Sequence, residues 1–110
     1  MNVFAVSDFG NWRPLRNAAL SDLTVSSTAV ALVPDLDDRC RRVLVTIEDA
    51  DVRMTFDGST PTSTHGHEFL KNTVLRLSRE MAKCALVIRG ASTDAKATRT
   101  QCEFANGARE

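Results

Sequence analysis

Alternation of apolar and polar residues is the clearest pattern in this chain, and it recurs in several short stretches. In one of them, Val52, Met54 and Phe56 alternate with Arg53 and Thr55. Successive side chains of a β-strand point to opposite faces of its sheet, so a period of two predicts a strand with one buried face. The alternation therefore indicates a protein built from β-strands.

The same period, or a concentration of β-branched residues, predicts further strands on both sides of this one. Together with residues 52–56, the predicted strands are residues 23–33 (with a bend at Ser26 and Ser27), 42–48, 69–78, 84–89 and 96–105. In three of these strands the pattern also predicts which side chains share a face. Val43, Val45 and Ile47 are predicted to point inward, and so are Leu86 and Ile88. Leu75 and Leu77 are predicted to share one face of their strand.

A very short connection, residues 49–51, separates two of the predicted strands. Connections of this length favour an antiparallel hairpin, in which the two strands that the turn joins are paired with each other. We therefore predict that residues 42–48 and residues 52–56 are hydrogen-bonded neighbours in one sheet.

Two short stretches depart from the strand pattern. Residues 79–83 lack β-formers and contain good helix formers, which predicts one helical turn that crosses between sheets. Residues 17–23 have a composition that allows a further short helical turn. Neither stretch is long enough to change the fold class.

The predicted strands are short and are separated by turn signals, with no long amphipathic helix between them. This arrangement indicates an all-β fold, a small antiparallel β-sandwich or jelly-roll-like domain. We assign the sandwich to residues 23–105 and a loose C-terminus to residues 106–110.

Residues 1–22 follow neither period, although they contain three of the chain's six aromatic residues, Phe4, Phe9 and Trp12. Two interpretations remain open. The segment packs back over its own core, or it is an irregular arm whose aromatic side chains dock on a neighbouring subunit, where isolated large apolar groups find a pocket.

Composition narrows the class of protein. The chain has 110 residues, 43% of them hydrophobic and 25% charged, which is typical of one globular domain. A formal net charge of zero argues against a nucleic-acid role. No apolar run approaches the roughly 20 residues of a membrane span, and the N-terminus lacks a signal-peptide pattern, so we expect expression in the cytosol and no membrane partner.

Three cysteines, Cys40, Cys84 and Cys102, include no closely spaced pair of the kind that zinc and redox motifs require. Cys84 and Cys102 lie in strand-like runs, where a free cysteine behaves as a small buried apolar residue. Cys40 lies beside arginines and is therefore predicted to be the most exposed of the three.

A loop with several polar groups follows the strand of residues 52–56. Asp57 and Gly58 end that strand, because Asp bonds its own backbone and Gly accepts a positive φ. Pro61 cannot donate to a sheet, and Gly66 interrupts the chain again. Residues 59–68 are therefore predicted to form an exposed loop of defined shape.

The chain's two histidines, His65 and His67, lie in this loop and are followed by Glu68. Two imidazoles and a carboxylate in this spacing form a weak candidate metal site, since no further strong ligand is near in sequence. The alternative is that the polar groups of the loop bond one another and maintain its shape. We favour this alternative and predict no metal.

No motif supports catalysis or a cofactor. A nucleophilic site needs a nucleophile, a base and an orienting group, and the chain contains no nucleophile elbow. It also lacks a glycine-rich phosphate loop. We therefore expect a protein that is not an enzyme, without catalytic residues or a cofactor, and we keep a small hydrolase that uses His65 or His67 as an alternative.

A carbohydrate- or receptor-binding β-sandwich module is an alternative of another class. Sugar sites commonly stack an exposed Trp or Tyr on the sugar ring. This chain has no Tyr, and its single Trp lies in the N-terminal segment. The composition therefore argues against this alternative.

Two segments resemble small virion proteins of tailed bacteriophages. Residues 52–67 read V-R-M-T-F-D-G-S-T-P-T-S-T-H-G-H, and residues 85–95 read A-L-V-I-R-G-A-S-T-D-A. In that loose group, a strand, a D-G-x-x-P-T turn and a G-H loop precede an I-R-x-x-x-x-D-A segment and a final strand. The resemblance covers residues 43–104, and none of these residues is a catalytic signature.

The resemblance implies a structural role in the virion, assembled in the host cytoplasm. The protein would be a head decoration (cement) protein that bridges capsid subunits, or else a component of the head–tail neck or of the tail. It would form a homo-oligomer and bind other virion proteins, either the major capsid protein or proteins on the neck and portal side. The residues that we predict to contact partners are Phe4, Phe9 and Trp12 of the arm, and Asp57, Thr60, Pro61, His65 and His67 of the loop.

Overall fold

The computed structural model describes residues 12–15 and 20–104, and it confirms the all-β fold. The described strands in chain order are β1 (Trp12–Pro14), β2 (Leu20–Val25), β3 (Val30–Ala31), β4 (Arg42–Glu48), β5 (Val52–Thr55), β6 (His67–Phe69), β7 (Val74–Ser78), β8 (Leu86–Arg89) and β9 (Ala95–Phe104). One short helix, α1 (Arg79–Cys84), lies between β7 and β8. This helix, the one found in the described part of the chain, is too short and too polar to cross a membrane.

The strands form two antiparallel sheets. The first sheet has the order β1-β9-β4-β7, with β2 also paired to β9. The second has the order β3-β8-β5-β6. Strands of both sheets contribute to one cluster of buried apolar side chains, so the molecule is a small β-sandwich with a single core.

β4 is a central strand of the first sheet, and its alternation is confirmed. Val43, Val45 and Ile47 are fully buried, whereas the residues between them are only partly buried. On β7, Leu77 lies opposite Val43 and Leu75 lies opposite Val45, so these leucines share one face, as predicted, and it is the inner one. This row of side chains forms the middle of the core.

The predicted hairpin between residues 42–48 and 52–56 is wrong. β4 pairs with β7 and β9, whereas β5 pairs with β6 and β8 in the other sheet. The short connection turns the chain from one sheet to the other, and Asp49 within it has a φ of 73°. Alternation shows which side chains share a face, but it does not identify the strand with which they pair.

The predicted strand of residues 23–33 is two strands that belong to different sheets. β2 pairs with β9 in the first sheet, and β3 pairs with β8 in the second. The predicted bend at Ser26 and Ser27 coincides with the change of sheet. The run of β-branched residues therefore predicted strand structure correctly but hid the break.

The described residues before β3 lie against the sandwich. Trp12–Pro14 pairs with β9, and the side chain of Leu15 is buried. Residues 20–23 belong to β2, so the predicted helical turn over residues 17–23 is wrong there, and its other residues lie outside the described chain. Phe4 and Phe9 also lie outside it.

The predicted inner face of β8 is wrong. Val87 is fully buried, whereas Leu86 and Ile88 are only partly buried. Apolar residues occupy both faces of this strand, so the sequence pattern did not distinguish the inner face from the outer one. The helical turn before β8 is confirmed, since α1 connects the first sheet to the second.

The cysteine predictions are reversed for two of the three residues. Cys40 is fully buried, and its Sγ donates to the carbonyl of Arg42 at 3.2 Å. Cys84, the last residue of α1, is exposed. Cys102 is buried as predicted. Burial raises the pKa of the Cys40 thiol and, together with the nearby Cys40, raises the pKa of Cys102 to about 11.

Residues 32–41, which we call the crossing segment, connect β3 to β4 and contain no regular strand or helix. Two inward-facing side chains of β9 bond to its backbone. Arg99 donates to the carbonyl of Leu32 at 2.8 Å, and the Gln101 amide donates to the carbonyl of Asp35 at 3.2 Å. These β9 side chains are 5% and 3% exposed, so the sandwich buries polar groups here to hold an irregular segment.

Arg79 of α1 holds the rest of the crossing segment. Its guanidinium donates to the carbonyls of Asp37 at 2.8 Å and Cys40 at 2.7 Å. The amide of Asp37 in turn donates to the Gln101 side-chain oxygen at 2.7 Å. The segment is therefore fixed by side chains that come from distant parts of the sequence.

Candidate functional site

The candidate site is the contact loop, residues 57–67, together with the cleft beside it. The loop connects β5 to β6, which pair antiparallel, with Val52 opposite Phe69 and Met54 opposite His67. Among the described strands, β6 lies at the edge of the second sheet, so the loop projects from one edge of the sandwich. The hairpin register fixes both ends of the loop.

A chain of hydrogen bonds crosses the loop. One carboxylate oxygen of Asp57 (Oδ1) accepts from the Ser59 amide at 3.0 Å and from the Ser59 hydroxyl at 2.6 Å. The same hydroxyl oxygen lies 3.0 Å from Nε2 of His65. The bonds from Ser59 hold the pKa of the Asp57 carboxyl below its ordinary value, so this group is ionised at neutral pH.

The tip of the loop is closed by the backbone. The amide of Thr62 donates to the carbonyl of His65 at 3.0 Å, and the amide of His65 donates back at 3.3 Å. The Thr64 amide donates to the Thr62 hydroxyl at 3.2 Å. These are local bonds between residues of the tip itself, and they fix its shape without help from the core.

The base of the loop packs tightly on β5. Arg53 donates to the carbonyl of Gly66 at 2.9 Å. Gly66 has a φ of +123°, and a Cβ at this position would lie 2.9 Å from the carbonyl oxygen of Met54. Pro61 is fully buried. A glycine is therefore required at residue 66, and the proline anchors the loop to the domain.

A cleft of about 420 Å³ lies beside the loop and is open to solvent. Its aromatic walls are Phe56 and His67, whose ring centroids are 6.0 Å apart and whose planes are inclined by 36°. The hydrogen-bonded groups of Asp57, Ser59 and His65 form its polar side. The cleft therefore combines aromatic surface with one ionised carboxylate.

The hydrogen-bonded chain does not have the order of a nucleophilic triad. In a triad the histidine lies between the serine and the carboxylate and accepts the serine proton. Here Ser59 lies in the middle and its hydroxyl proton is directed to Asp57, so Nε2 of His65 donates to the serine oxygen. This arrangement stabilises the loop, and it is not one in which a histidine takes the proton of the serine.

Both histidines line the cleft. Glu68 lies opposite Arg53 on the neighbouring strand and does not line it. Among the described residues, no group of three or more His, Cys, Asp or Glu side chains is arranged to hold a metal ion. The polar groups bond one another instead, which is the alternative that we favoured from the sequence.

The predicted contact residues of the loop are not all at its surface. Asp57, Thr60, His65 and His67 are exposed. Pro61 is the exception, because its side chain is fully buried and offers no surface to a partner. Of the predicted arm residues, Trp12 belongs to β1, while Phe4 and Phe9 lie outside the described residues.

The sequence analysis did not single out Ser59 or the cleft. Ser59 follows Asp57 by two residues, which is the spacing of an Asx turn, and this signal could have identified the start of the hydrogen-bonded chain. The cleft had no such signal, since Phe56 was predicted to share the buried face of its strand. It is only partly buried because β5 ends at Thr55 and the chain turns outward there.

Comparisons of the chain with protein-family models, with curated proteins and with solved structures returned no match.

Proposed function

We propose that this protein is a structural component of a tailed-bacteriophage virion, a head decoration (cement) protein that is assembled in the host cytoplasm and bridges capsid subunits. The observation that carries the proposal is the contact loop, which is exposed and yet fixed by its own hydrogen bonds. A loop that is already ordered loses little conformational entropy when it docks, so more of its contact energy contributes to binding.

The sandwich supports this role by fixing the position of the loop. The hairpin of β5 and β6 holds both loop ends, and Gly66 and Pro61 seat the loop against the domain. The outer surface of the loop consists of short polar side chains such as Thr60 and Ser63. Such a surface makes modest contacts, which become effective when many identical copies bind one particle.

The experiment measures the mass of the purified chain by light scattering, alone and mixed with phage particles that lack it. We expect a homo-oligomer that adds to the particles at one fixed copy number. A copy number that matches the capsid lattice supports the decoration role, whereas a single ring per particle would assign the protein to the neck or tail. A monomer that ignores particles would overturn the virion proposal.

A matched pair of variants locates the contact surface. Ser63→Arg places a large charged side chain at the tip of the contact loop, and Thr24→Arg makes a comparable change at an exposed position of β2, in the other sheet. We expect Ser63→Arg to reduce the number of copies bound, while Thr24→Arg binds like the original protein. Equal binding by both variants would show that the loop is not the contact surface.

A further inference from the structure

The carboxylate of Asp57 is only half used by the loop. Its Oδ1 accepts both bonds from Ser59, and no other residue that the structure describes donates a hydrogen bond to Oδ2. Within that part of the chain, Asp57 also has no ion-pair partner at 4.0 Å or less. An ionised group with an unused acceptor therefore lies at the side of the cleft.

The charged side chain of Arg53, on the neighbouring strand β5, does not pair with Asp57. The guanidinium of Arg53 donates to the carbonyl of Gly66, at the base of the loop. The residues that line the cleft include no lysine and no arginine. The bonds from Ser59 and the nearby His65, which also lines the cleft, lower the pKa of the Asp57 carboxyl, but no permanently charged cation lies among the lining residues. The cleft therefore favours a cationic ligand over one that carries a carboxylate or phosphate.

The aromatic walls favour a flat cation over a compact one. Phe56 and His67 present two inclined rings beside the carboxylate. A guanidinium is planar, stacks on aromatic faces and pairs with a carboxylate through parallel N–H groups, whereas an ammonium is a strongly hydrated point charge. The volume of about 420 Å³ lies within the usual range of roughly 300–1,000 Å³ for small-ligand sites.

We infer that the cleft lined by Phe56, His67 and Asp57 binds an arginine side chain of a neighbouring virion protein, with its guanidinium paired to Asp57 and stacked on the exposed aromatic surface. The inference rests on the proposed function for the source of the arginine. It adds the chemistry of the contact: the polar loop supplies the surrounding surface, and the cleft supplies one anchored ion pair. A single well-placed anchor of this type commonly dominates a small interface.

The test titrates N-acetyl-arginine amide into the isolated 110-residue chain and follows backbone amide signals by NMR. The uncharged citrulline analogue and the lysine analogue are titrated in parallel. We expect saturable shifts confined to residues 56–67 with the arginine analogue, weaker shifts with lysine and none with citrulline. Equal shifts with citrulline, or arginine-induced shifts elsewhere, would overturn the inference.

Asp57→Asn isolates the charge. An asparagine oxygen can still accept both bonds from Ser59, so the loop keeps its shape while the cleft loses its anion. Asp38→Asn is the matched control, because Asp38 is exposed and its carboxylate makes no bond within the described residues. We expect Asp57→Asn to weaken arginine binding by about fivefold or more and Asp38→Asn to leave it unchanged. An unchanged affinity in Asp57→Asn would refute the site.

Particle binding separates this inference from the proposed function. If the chain adds to particles but does not bind the arginine analogue, the cleft inference fails and the virion role stands. If the chain binds arginine through Asp57 but never adds to particles, the virion role fails, and with it the virion source of the arginine.

Discussion

The crossing segment and the contact loop are both irregular, but they are held in opposite ways. The buried bonds of the crossing segment come from Arg79, Arg99 and Gln101, which reach it from strands or a helix far away in sequence. Arg39 adds an exposed bond to Asp37 within the segment. The contact loop is fixed mainly by bonds among its own residues, such as those of Asp57 and Ser59. The first set of bonds is largely buried, and the second is exposed.

This difference separates the contacts that stabilise the domain from those that shape an exposed loop. The crossing segment keeps its shape only while the whole sandwich is folded, and removing one of its buried bonds leaves a buried polar group without a partner. The contact loop needs the sandwich only at its ends and its base. Its outer residues can therefore change without unfolding the domain.

The largest expected effect comes from Arg99→Ala. This change removes a buried side chain, leaves a cavity and strands the carbonyl of Leu32, so we expect the free energy of unfolding to fall by about 4 kcal/mol. Urea denaturation measures the loss. Arg39→Ala is the control, since its side chain is 54% exposed in the same segment, and a much smaller loss is expected. Equal losses in both variants would remove the distinction drawn here.

A smaller effect is expected at Gly66, where the loop backbone closely approaches the backbone of β5. Gly66→Ala must both adopt an unfavourable φ and push a methyl group against the carbonyl of Met54, for an expected loss of about 2–3 kcal/mol. Gly58 has a φ of +88° but open space around it, so Gly58→Ala should cost about 1 kcal/mol. Thermal unfolding of the two variants measures the difference between their losses of stability. Equal losses would show that the close approach of Gly66 to β5 is unimportant.

The smallest expected effect is a change in how stability depends on pH at acidic pH. Arg39 hydrogen-bonds to Asp37 and lowers the pKa of that carboxyl from 3.8 to about 2. A carboxyl with a lowered pKa in the folded state stabilises it fully above pH 3.8 and loses this contribution as the pH falls toward 2. Stability measured against pH should therefore fall less steeply in this window for Asp37→Asn and for Arg39→Ala. If both variants lose stability as steeply as the original protein in this pH window, the bond between Arg39 and Asp37 does not contribute to the acid dependence.

The sequence predicted the contact loop better than the crossing segment, and the reason is physical. Gly58, Pro61 and Gly66 restrict the backbone wherever they occur, so a loop between them could be predicted from local chemistry. Arg99 and Gln101 have the residue types of an outward face, and only the fold makes them inward-facing. Long-range polar contacts leave no local pattern, which is why the anchoring of the crossing segment could not be predicted.

Strand pairing was the other part of the fold that the sequence did not determine. Alternation in β4 identified Val43, Val45 and Ile47 as the inner face, because burial depends on the period alone. It did not reveal that β4 and β5 lie in different sheets, since that depends on which distant strand offers the better partner. The cleft was missed for a related reason, because its aromatic walls, Phe56 and His67, lie at opposite ends of the contact loop in sequence and are brought together only by the fold.

β9 has a consequence for how the chain folds. It is the longest described strand, with 10 residues, and it pairs with β4 on one side and with β1 and β2 on the other. The first sheet therefore joins its N-terminal and central strands only through a strand from the other end of the described chain. Contacts between residues so distant in sequence form only after large loops have closed, and loop closure costs entropy before the contacts stabilise the chain. This requirement slows folding. Until β9 is in place, β2 and β4 keep unpaired edges, and the nascent chain is exposed to aggregation during that interval.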